Sequence, residues 1–465
     1  MGGANLLALR SHNTALVLDL LRTAGAEGIS RLELAERTGL TPQAVSKITA
    51  RLREDGLAAE AGRRASTGGK PRTVLRLVPE AGHALGVHLD RDELRAVLVD
   101  LDGAVVGERC SALDLGAGAA EVVEVVARVA RELVADTLNP PAGALAAAPT
   151  LLGLGVALPG PLDHIRGVLH RVTGFPEWDG FPLRDALARR LGVPVVVDKD
   201  TNAAALGLSV GLAAGGEGGV GGREGGGERS GAGGREGGGE WGGAGGRDGG
   251  GEGGRDGEGG REGDGEGGRG GGGEGGREGG GGGREGGGVG GERGGEESGG
   301  AGGGAGVGAG GSFAYLHLGT GLGAGLVFGG GVHRGARTGA GEFGHQVVQL
   351  DGPPCTCGAR GCIEALCLGA VARGDLAEAA RVLGAGAANL VGLLDIDLVL
   401  LGGRTVAAAP EVFVHGVGAV LDARARREGG RDGAVPVRIA PGGTRGVAEG
   451  AAQLLLAPLF GRGDA

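Results

Sequence analysis

The chain has 465 residues, 115 of them glycine, a net charge of −10 and only 2% aromatic side chains; its length allows two or three domains around a large core. About eight of the ten net negative charges fall between Gly211 and Gly311, where roughly 60 per cent of residues are glycine, so the remainder is near neutral and the acidity does not exclude a local nucleic-acid-binding patch. No run of about 20 apolar residues predicts a transmembrane helix, and the opening MGGANLLALRSHN lacks the basic and apolar regions of a secretory signal, so a cytoplasmic protein with reduced thiols is expected.

From the N-terminus, Leu16, Val17, Leu20 and Leu21 recur at helical spacing and predict an amphipathic helix. Ser30, followed three residues later by Glu33, is a capping box that opens a second helix, and Gly39 supplies its left-handed stop. Thr41 caps a third helix with Pro42 in the first turn. Helix, glycine turn, helix is the helix-turn-helix layout. Leu34, Ala35, Leu40, Val45, Ile48 and Leu52 are expected to point inward. Thr41, Gln43, Ala44, Ser46 and Lys47 are expected to point outward, small, polar and basic, suited to base edges and phosphates in a major groove. Two short strands, 57–60 and 73–78, would flank a basic loop carrying Arg63, Arg64, Lys70 and Arg72, a wing for phosphate or minor-groove contact. The competing reading is a small helical interaction module with a solvated hairpin; a basic loop directly after two capped helices favours DNA. This unit is assigned residues 1–80.

Over residues 81–210 the pattern alternates. ALGVHLD and LRAVLVDLDG read as a hairpin, EVVEVVARVARELVADTL as a helix and LLGLGVALPG as a buried strand. RDALARRLGVPVVVDKD is helix then strand, and TNAAALGLS opens another helix. Residues 211–311 repeat GGREGGGE-like units with no apolar period; they bury too little to offset chain entropy and are expected to form a disordered insert. Residues 312–465 resume with SFAYLHLGTGLGAGLVFGGG, two strands around a glycine turn able to present amides to an anion. ANLVGLLDIDLVLLGG and VPVRIAP add a helix and two further strands. The class is α/β, helices covering sheets.

Three of the five cysteines crowd into GEFGHQVVQLDGPPCTCGARGCIE, residues 341–364. His345, Cys355, Cys357 and Cys362 offer one imidazole and three thiolates, a set that suits a closed, structural tetrahedral Zn2+ site, with Gly358 and Gly361 giving the loop freedom to wrap one ion. Free thiols in a polar loop or a redox pair are the alternatives. Cys110 and Cys367 lack such company and are expected to be half-buried thiols.

The run GARTGAGEFGH followed by CTCGARGCIE resembles the signature of the ROK family, sugar kinases and sugar-responsive repressors on a two-lobed actin-like (ribonuclease H-like) fold. GVALPGPLD, VVVDKDTNAAALG, LHLGTGLGAG and LVLLGG resemble family landmarks in family order, and RSHNTALVLDLLR with ELAERTGLTPQAVSKITARL resembles the winged helix of the repressor branch. The resemblance implies a winged helix-turn-helix followed by a ROK domain in two pieces, 81–210 and 312–465. It puts Asp200 at the position of the catalytic base, and Asp200, Glu342, His345 and Glu364 in contact with a sugar. A helix cap is the other reading of Asp200. Lys199 stands where the family usually has asparagine; it is expected to pair with Asp198 or Asp200, or to favour an acidic or phosphorylated ligand.

Kinases of the family carry a phosphate turn reading roughly Asp-x-Gly-Gly-Thr. Here GVHLDRDEL puts His88 at the aspartate position, Asp90 and Arg91 at the glycines and Asp92 at the threonine. Carboxylates facing phosphates repel them, and side chains block the close approach that glycine permits. The resemblance with this departure implies a non-enzyme: a sugar-responsive DNA-binding transcriptional regulator, a repressor of carbohydrate-metabolism genes. Its expected partners are a palindromic operator, read by a homodimer or dimer of dimers, and a sugar or sugar phosphate effector, with no membrane. The alternative is a ROK-type ATP-dependent sugar kinase.

Overall fold

The computed structural model describes residues 12–64, 71–139, 150–170, 175–215, 311–429 and 433–462. All of them belong to one compact unit drawn from Met1–Val220 and Ala305–Ala465. Lys70 and nearly all of the insert expected at 211–311 lie outside the described residues, although 211–215 continue a helix.

The N-terminal head starts with α1 (His12–Thr23), which buries Ala15, Val17, Leu18 and Leu21. Leu16 and Leu20 are only half-buried, and the C-terminal turn at 457–460 packs against α1. Next come β1 (Ile29–Ser30), α2 (Arg31–Thr38), α3 (Pro42–Glu54), β2 (Ala58–Arg64) and β3 (Arg72–Leu77). The capping box forms both of its bonds: the Glu33 amide donates to Ser30 Oγ at 3.3 Å and the Ser30 amide to Glu33 Oε2 at 2.8 Å. Gly39 ends α2 with φ 68°, and Thr41 Oγ1 accepts from the Ala44 amide to open α3. Leu34, Ala35, Val45 and Leu52 are buried as expected, while Leu40 and Ile48 pack half-buried at the edge. The three-stranded sheet runs β1-β3-β2, all antiparallel. Strand β2 reaches Arg64, so Arg63, Arg64 and Arg72 sit on paired strands at the wing's end rather than in its loop.

The first lobe contains β4 (His83–Leu89), β5 (Glu93–Asp100), β6 (Val105–Ala112), α4 (Ala119–Leu138), β7 (Leu151–Leu158), the short pair β8 (Leu162–Asp163) and β9 (Val168–Leu169), α5 (Leu183–Leu191), β10 (Val195–Lys199) and α6 (Asp200–Gly215). Its sheet order is β10-β7-β4-β5-β6, with β10, β7 and β4 parallel and β5 and β6 antiparallel additions. The second lobe repeats this topology. It comprises β11 (Phe313–Leu318), β12 (Leu322–Phe328), β13 (Gly331–Val332), α7 (Ile363–Ala372), α8 (Leu376–Leu394), β14 (Leu398–Gly402), α9 (Arg404–Ala408), α10 (Pro410–Arg427), β15 (Val437–Ile439) and α11 (Gly446–Leu456). Its order β15-β14-β11-β12-β13 matches the first lobe strand for strand. By length and composition α8 could cross a membrane, but half of it is buried against α7 and α10 in this lobe's core.

The two lobes exchange helices. α6 leaves the first lobe's β10 and packs on β11 and β12; α11 leaves the second lobe's β15 and packs on β4, β7 and α6. Gly86 and Gly155 make that approach possible, since a Cβ at either would collide with the carbonyl of Ala448 or Ala451 on α11.

The head shares a core with the first lobe. Val17, Leu21, Leu57 and Leu77 meet Val97, Val99, Leu101 and the α11 residues Ala448, Ala452 and Leu455 in one apolar cluster. Full burial of each leucine there contributes roughly 2 kcal/mol, enough to seat the head firmly on the lobe. Arg22 lies 4.1 Å over the Phe460 ring, and Arg462 Nε and Nη2 donate to both oxygens of Asp19 at 3.1 and 3.0 Å.

Candidate functional site

A cleft between the lobes is lined by the β4–β5 turn, the β10–α6 junction, the glycine turn joining β11 to β12, and the 341–345 segment with Glu364. Asp200 sits there as the first residue of α6, half-buried, with Oδ1 accepting from the adjacent Thr201 amide at 2.6 Å. Its charge reaches two deep neighbours. Burial pushes the His88 imidazole down to about 4 against the pull of Asp200, so this side chain is neutral near pH 7. Burial first and Asp200 second raise Tyr315 above the usual phenol range. His317 completes the group: its Nδ1 is 2.9 Å from the Tyr315 hydroxyl, and its ring stands edge-on to His88 at 6.3 Å. Tyr315 and His317 share a strand face by simple alternation, the one signal in FAYLHLG that could have paired them.

Lys199 corrects its expected pairing. Its ammonium, on a side chain 3% exposed, meets neither Asp198 nor Asp200 and donates to Glu342 Oε1 at 3.2 Å and to the Ala340 carbonyl. The cause is strand geometry. Successive side chains of β10 point to opposite faces, so the Lys199 ammonium is directed away from the Asp198 carboxylate. Asp198 turns inward instead and accepts from Arg334 Nε at 2.7 Å, Asn202 Nδ2 at 2.9 Å and the Lys199 amide at 2.7 Å. Glu364, on the first turn of α7, accepts from the Leu322 amide at 2.9 Å and so also anchors the glycine turn.

The four expected metal-binding residues converge, their ligand atoms all lying within 4.8 Å of one another. Cys357 Sγ is 3.7 Å from Cys362 Sγ, and His345 Nδ1 is 3.7 Å from Cys355 Sγ. A tetrahedral ion bound at about 2.3 Å to sulfur needs sulfur–sulfur edges of about 3.8 Å, which the Cys357–Cys362 edge matches, so the set suits a metal such as zinc. Gly358 and Gly361 adopt φ of 92° and 68°, as a loop wrapping one ion requires. His345 also borders the cleft, so the metal loop and the cleft wall share a residue. Of the other thiols, neither is half-buried as expected: Cys110 is exposed on an outer strand and Cys367 is buried in the second lobe's core.

Where the β4–β5 turn meets the second lobe, Asp90 Oδ1 accepts from Thr320 Oγ1 at 2.7 Å. Burial pushes Asp90 up, but the Thr320 hydroxyl, the Arg91 amide, His88 and Arg404 outweigh it and leave the carboxyl below its ordinary range. Nothing in the sequence singled out Arg404.

On the head, Thr41, Gln43, Ser46 and Lys47 are exposed along the start of α3 and Ala44 is half-buried beside them. Arg63 and Arg72 are exposed on the wing. Arg64 is tied back to the helices, 2.9 Å from Glu33 Oε1 and 3.2 Å from the Gly28 carbonyl.

Comparison with known proteins agrees with this architecture. The ROK family model matches residues 86–219 and 309–375, and a winged helix-turn-helix DNA-binding model matches 17–58. The xylose repressor of Bacillus subtilis (strain 168) is 20% identical over 337 residues, covering 72% of this chain and 61% of that protein. The DNA-binding transcriptional dual regulator NagC of Escherichia coli (strain K12) is 30% identical over 214 residues, covering 43% of this chain and 47% of that protein. The chain thus spans about three-fifths and half of these relatives' lengths. A crystal structure of a ROK family transcriptional regulator, described as a homolog of the E. coli MLC protein, superposes with a TM-score of 0.61 at 16% identity over 97% of this chain and 98% of that one, which establishes the shared fold.

Proposed function

On a chain that carries a ROK-family domain behind a winged helix-turn-helix, we propose a sugar-responsive, DNA-binding transcriptional regulator of the cytoplasm, a repressor of carbohydrate-metabolism genes without phosphotransfer activity. The observation that carries this reading is the run of α6. It begins at the cleft with Asp200, and roughly 15 Å further along its carbonyl at Val210 takes a 3.5 Å contact from Arg462, the residue that grips Asp19 on α1 of the head. A ligand that draws the lobes together around Asp200 therefore moves the far end of a rigid helix against the DNA-binding head.

The effector is a sugar or sugar phosphate held by Asp200, Glu342, Glu364 and His345: the carboxylates accept hydroxyl hydrogen bonds, and the imidazole, with Nδ1 toward the thiolates, donates through Nε2. Zinc is the ion that three thiolates and an imidazole suit; bound there it holds the 345–362 loop and the cleft wall in place. Thr41, Gln43, Ala44, Ser46 and Lys47 would enter the major groove, with Arg63, Lys70 and Arg72 on the flanking phosphates and Arg64 bracing the wing against Glu33. Two heads one helical turn apart require a dimer and read a palindrome. Regulation is linkage: a sugar with higher affinity for the lobe arrangement that misaligns the heads withdraws the population that binds operator.

A kinase is the second reading, favoured by Asp200 and the intact glycine turn at 319–323. Against it stands the acidic β4–β5 turn, whose carboxylates fill the space beside Thr320. Selection of genomic fragments by the metal-loaded protein, with and without a panel of sugars and sugar phosphates, tests the proposal. A palindrome released by one sugar is the expected result. No enriched sequence, together with ATP-dependent phosphorylation of any sugar in the panel, would overturn it.

A further inference from the structure

Three loops that are remote in sequence meet at the mouth of the cleft. From the first lobe comes the β4–β5 turn with Asp90 and Asp92. From the second come the glycine turn carrying Thr320 and the start of α9 carrying Arg404. The Arg404 guanidinium donates through Nη1 to Asp92 Oδ2 at 2.9 Å, and through Nη2 to Asp92 Oδ1 at 2.6 Å and Asp90 Oδ2 at 2.9 Å. The other Asp90 oxygen takes the Thr320 hydroxyl at 2.7 Å and the Arg91 amide at 2.8 Å. Two carboxylates two residues apart in a tight turn repel each other. One planar guanidinium engages both, in the fork geometry where arginine outperforms lysine.

We propose that Asp90, Asp92, Thr320 and Arg404 form a releasable clasp that holds the lobes together at the cleft mouth, with Arg404 acting as a positioning residue through Asp90. The clasp differs in kind from the buried ion pair that joins the lobes. Arg334–Asp198 is 7% and 2% exposed, a fixture that water and salt do not reach, while the Lys199 side chain is 3% exposed beneath a Glu342 carboxylate that is 41% exposed. In the clasp Arg404 is 43% and Asp92 62% exposed, while Asp90 at 16% carries the contact down into the cleft wall. Exposed ion pairs are individually weak and screened by salt. The clasp is thus an interlobe contact that opens at low cost. Asp90, Arg91 and Thr320 line the cleft, so its closure sets the shape a ligand meets.

The clasp itself stands on lobe geometry; only its consequence, a tuned threshold for effector binding, rests on the regulator reading. Hydrogen exchange of the full metal-loaded chain, without DNA or sugar, separates the two. In Arg404→Gln, exchange should rise about tenfold in both 89–93 and 318–323, on opposite lobes, while the central strands β7 and β14 keep their rates. Asp92→Asn should do the same to a smaller degree, and the charge-swapped pair Asp92→Arg with Arg404→Asp should return both turns toward wild-type rates. Raising salt to 1 M should loosen the wild-type turns and leave Arg404→Gln unaffected. If Arg404→Gln speeds exchange only around 403–408, or if salt acts equally on both proteins, the clasp does not exist. A chain that shows the clasp signature yet selects no operator keeps the clasp and loses the regulator reading.

Discussion

Lowering the pH should destabilise this protein through the buried imidazole of His88. His88 lies on β4 beneath the cleft, 9% exposed, and burial holds it down to about 4 in the fold against about 6.5 in an unfolded chain. Asp200, Asp90 and Glu93 pull it upward and His317 pushes it further down, so burial wins. Between those two values the unfolded chain binds a proton that the folded chain refuses, and stability falls as pH falls through that window. The full effect is about 3 kcal/mol, of which about 2 kcal/mol is lost between pH 7.5 and pH 5. Urea unfolding followed by circular dichroism at both pH values measures it in the wild type and in His88→Gln, whose amide does not titrate. The wild type should lose about 2 kcal/mol more than the variant. Parallel losses would refute the placement of a neutral imidazole in that environment.

Other perturbations test other layers. Arg334→Met strands the Asp198 carboxylate, 2% exposed, with only an amide and Asn202, and should cost about 3–5 kcal/mol in the same unfolding assay; under 1 kcal/mol would mean the pair is not closed to water. Ser30→Ala removes the capping acceptor for the Glu33 amide and should cost about 1 kcal/mol, seen as faster amide exchange confined to α2. Lys47→Ala should lower the slope of log affinity against log salt by about 1 on any operator recovered, measured by fluorescence anisotropy, while an unchanged slope would take Lys47 off the phosphate backbone. Cys357→Ser should release the metal in native mass spectrometry, and retention of one full equivalent would exclude Cys357 as a ligand.

Features that depend on neighbours along the chain were legible before any fold. The capping box at Ser30 and Glu33, the left-handed stop at Gly39 and the Thr41 cap each involve groups within three residues, so spacing alone specifies them. The metal loop belongs to the same class. Cys355, Cys357 and Cys362 lie within eight residues of chain, and only His345 reaches in from outside the turn. Strands β4, β5, β7, β10, β11, β12 and β14 announced themselves as apolar runs between glycine turns, whereas β1 and β13, two residues each, offered no period to read.

The sequence by itself therefore determined the order of parts: a capped helix-turn-helix with a basic wing, two alternating α/β pieces, and a four-ligand loop. It could not determine what those pieces do to one another. Arg404 meets Asp92 across 312 residues of chain, and Arg334 meets Asp198 across 136. Such contacts follow from sheet register and from the exchange of α6 and α11 between the lobes, neither of which leaves a periodic trace. The neutral state of His88, the partner of Lys199 and the path from Asp200 to the head were decided in the same way. Each depends on which surfaces exclude water, and that is settled only when distant segments close over one another.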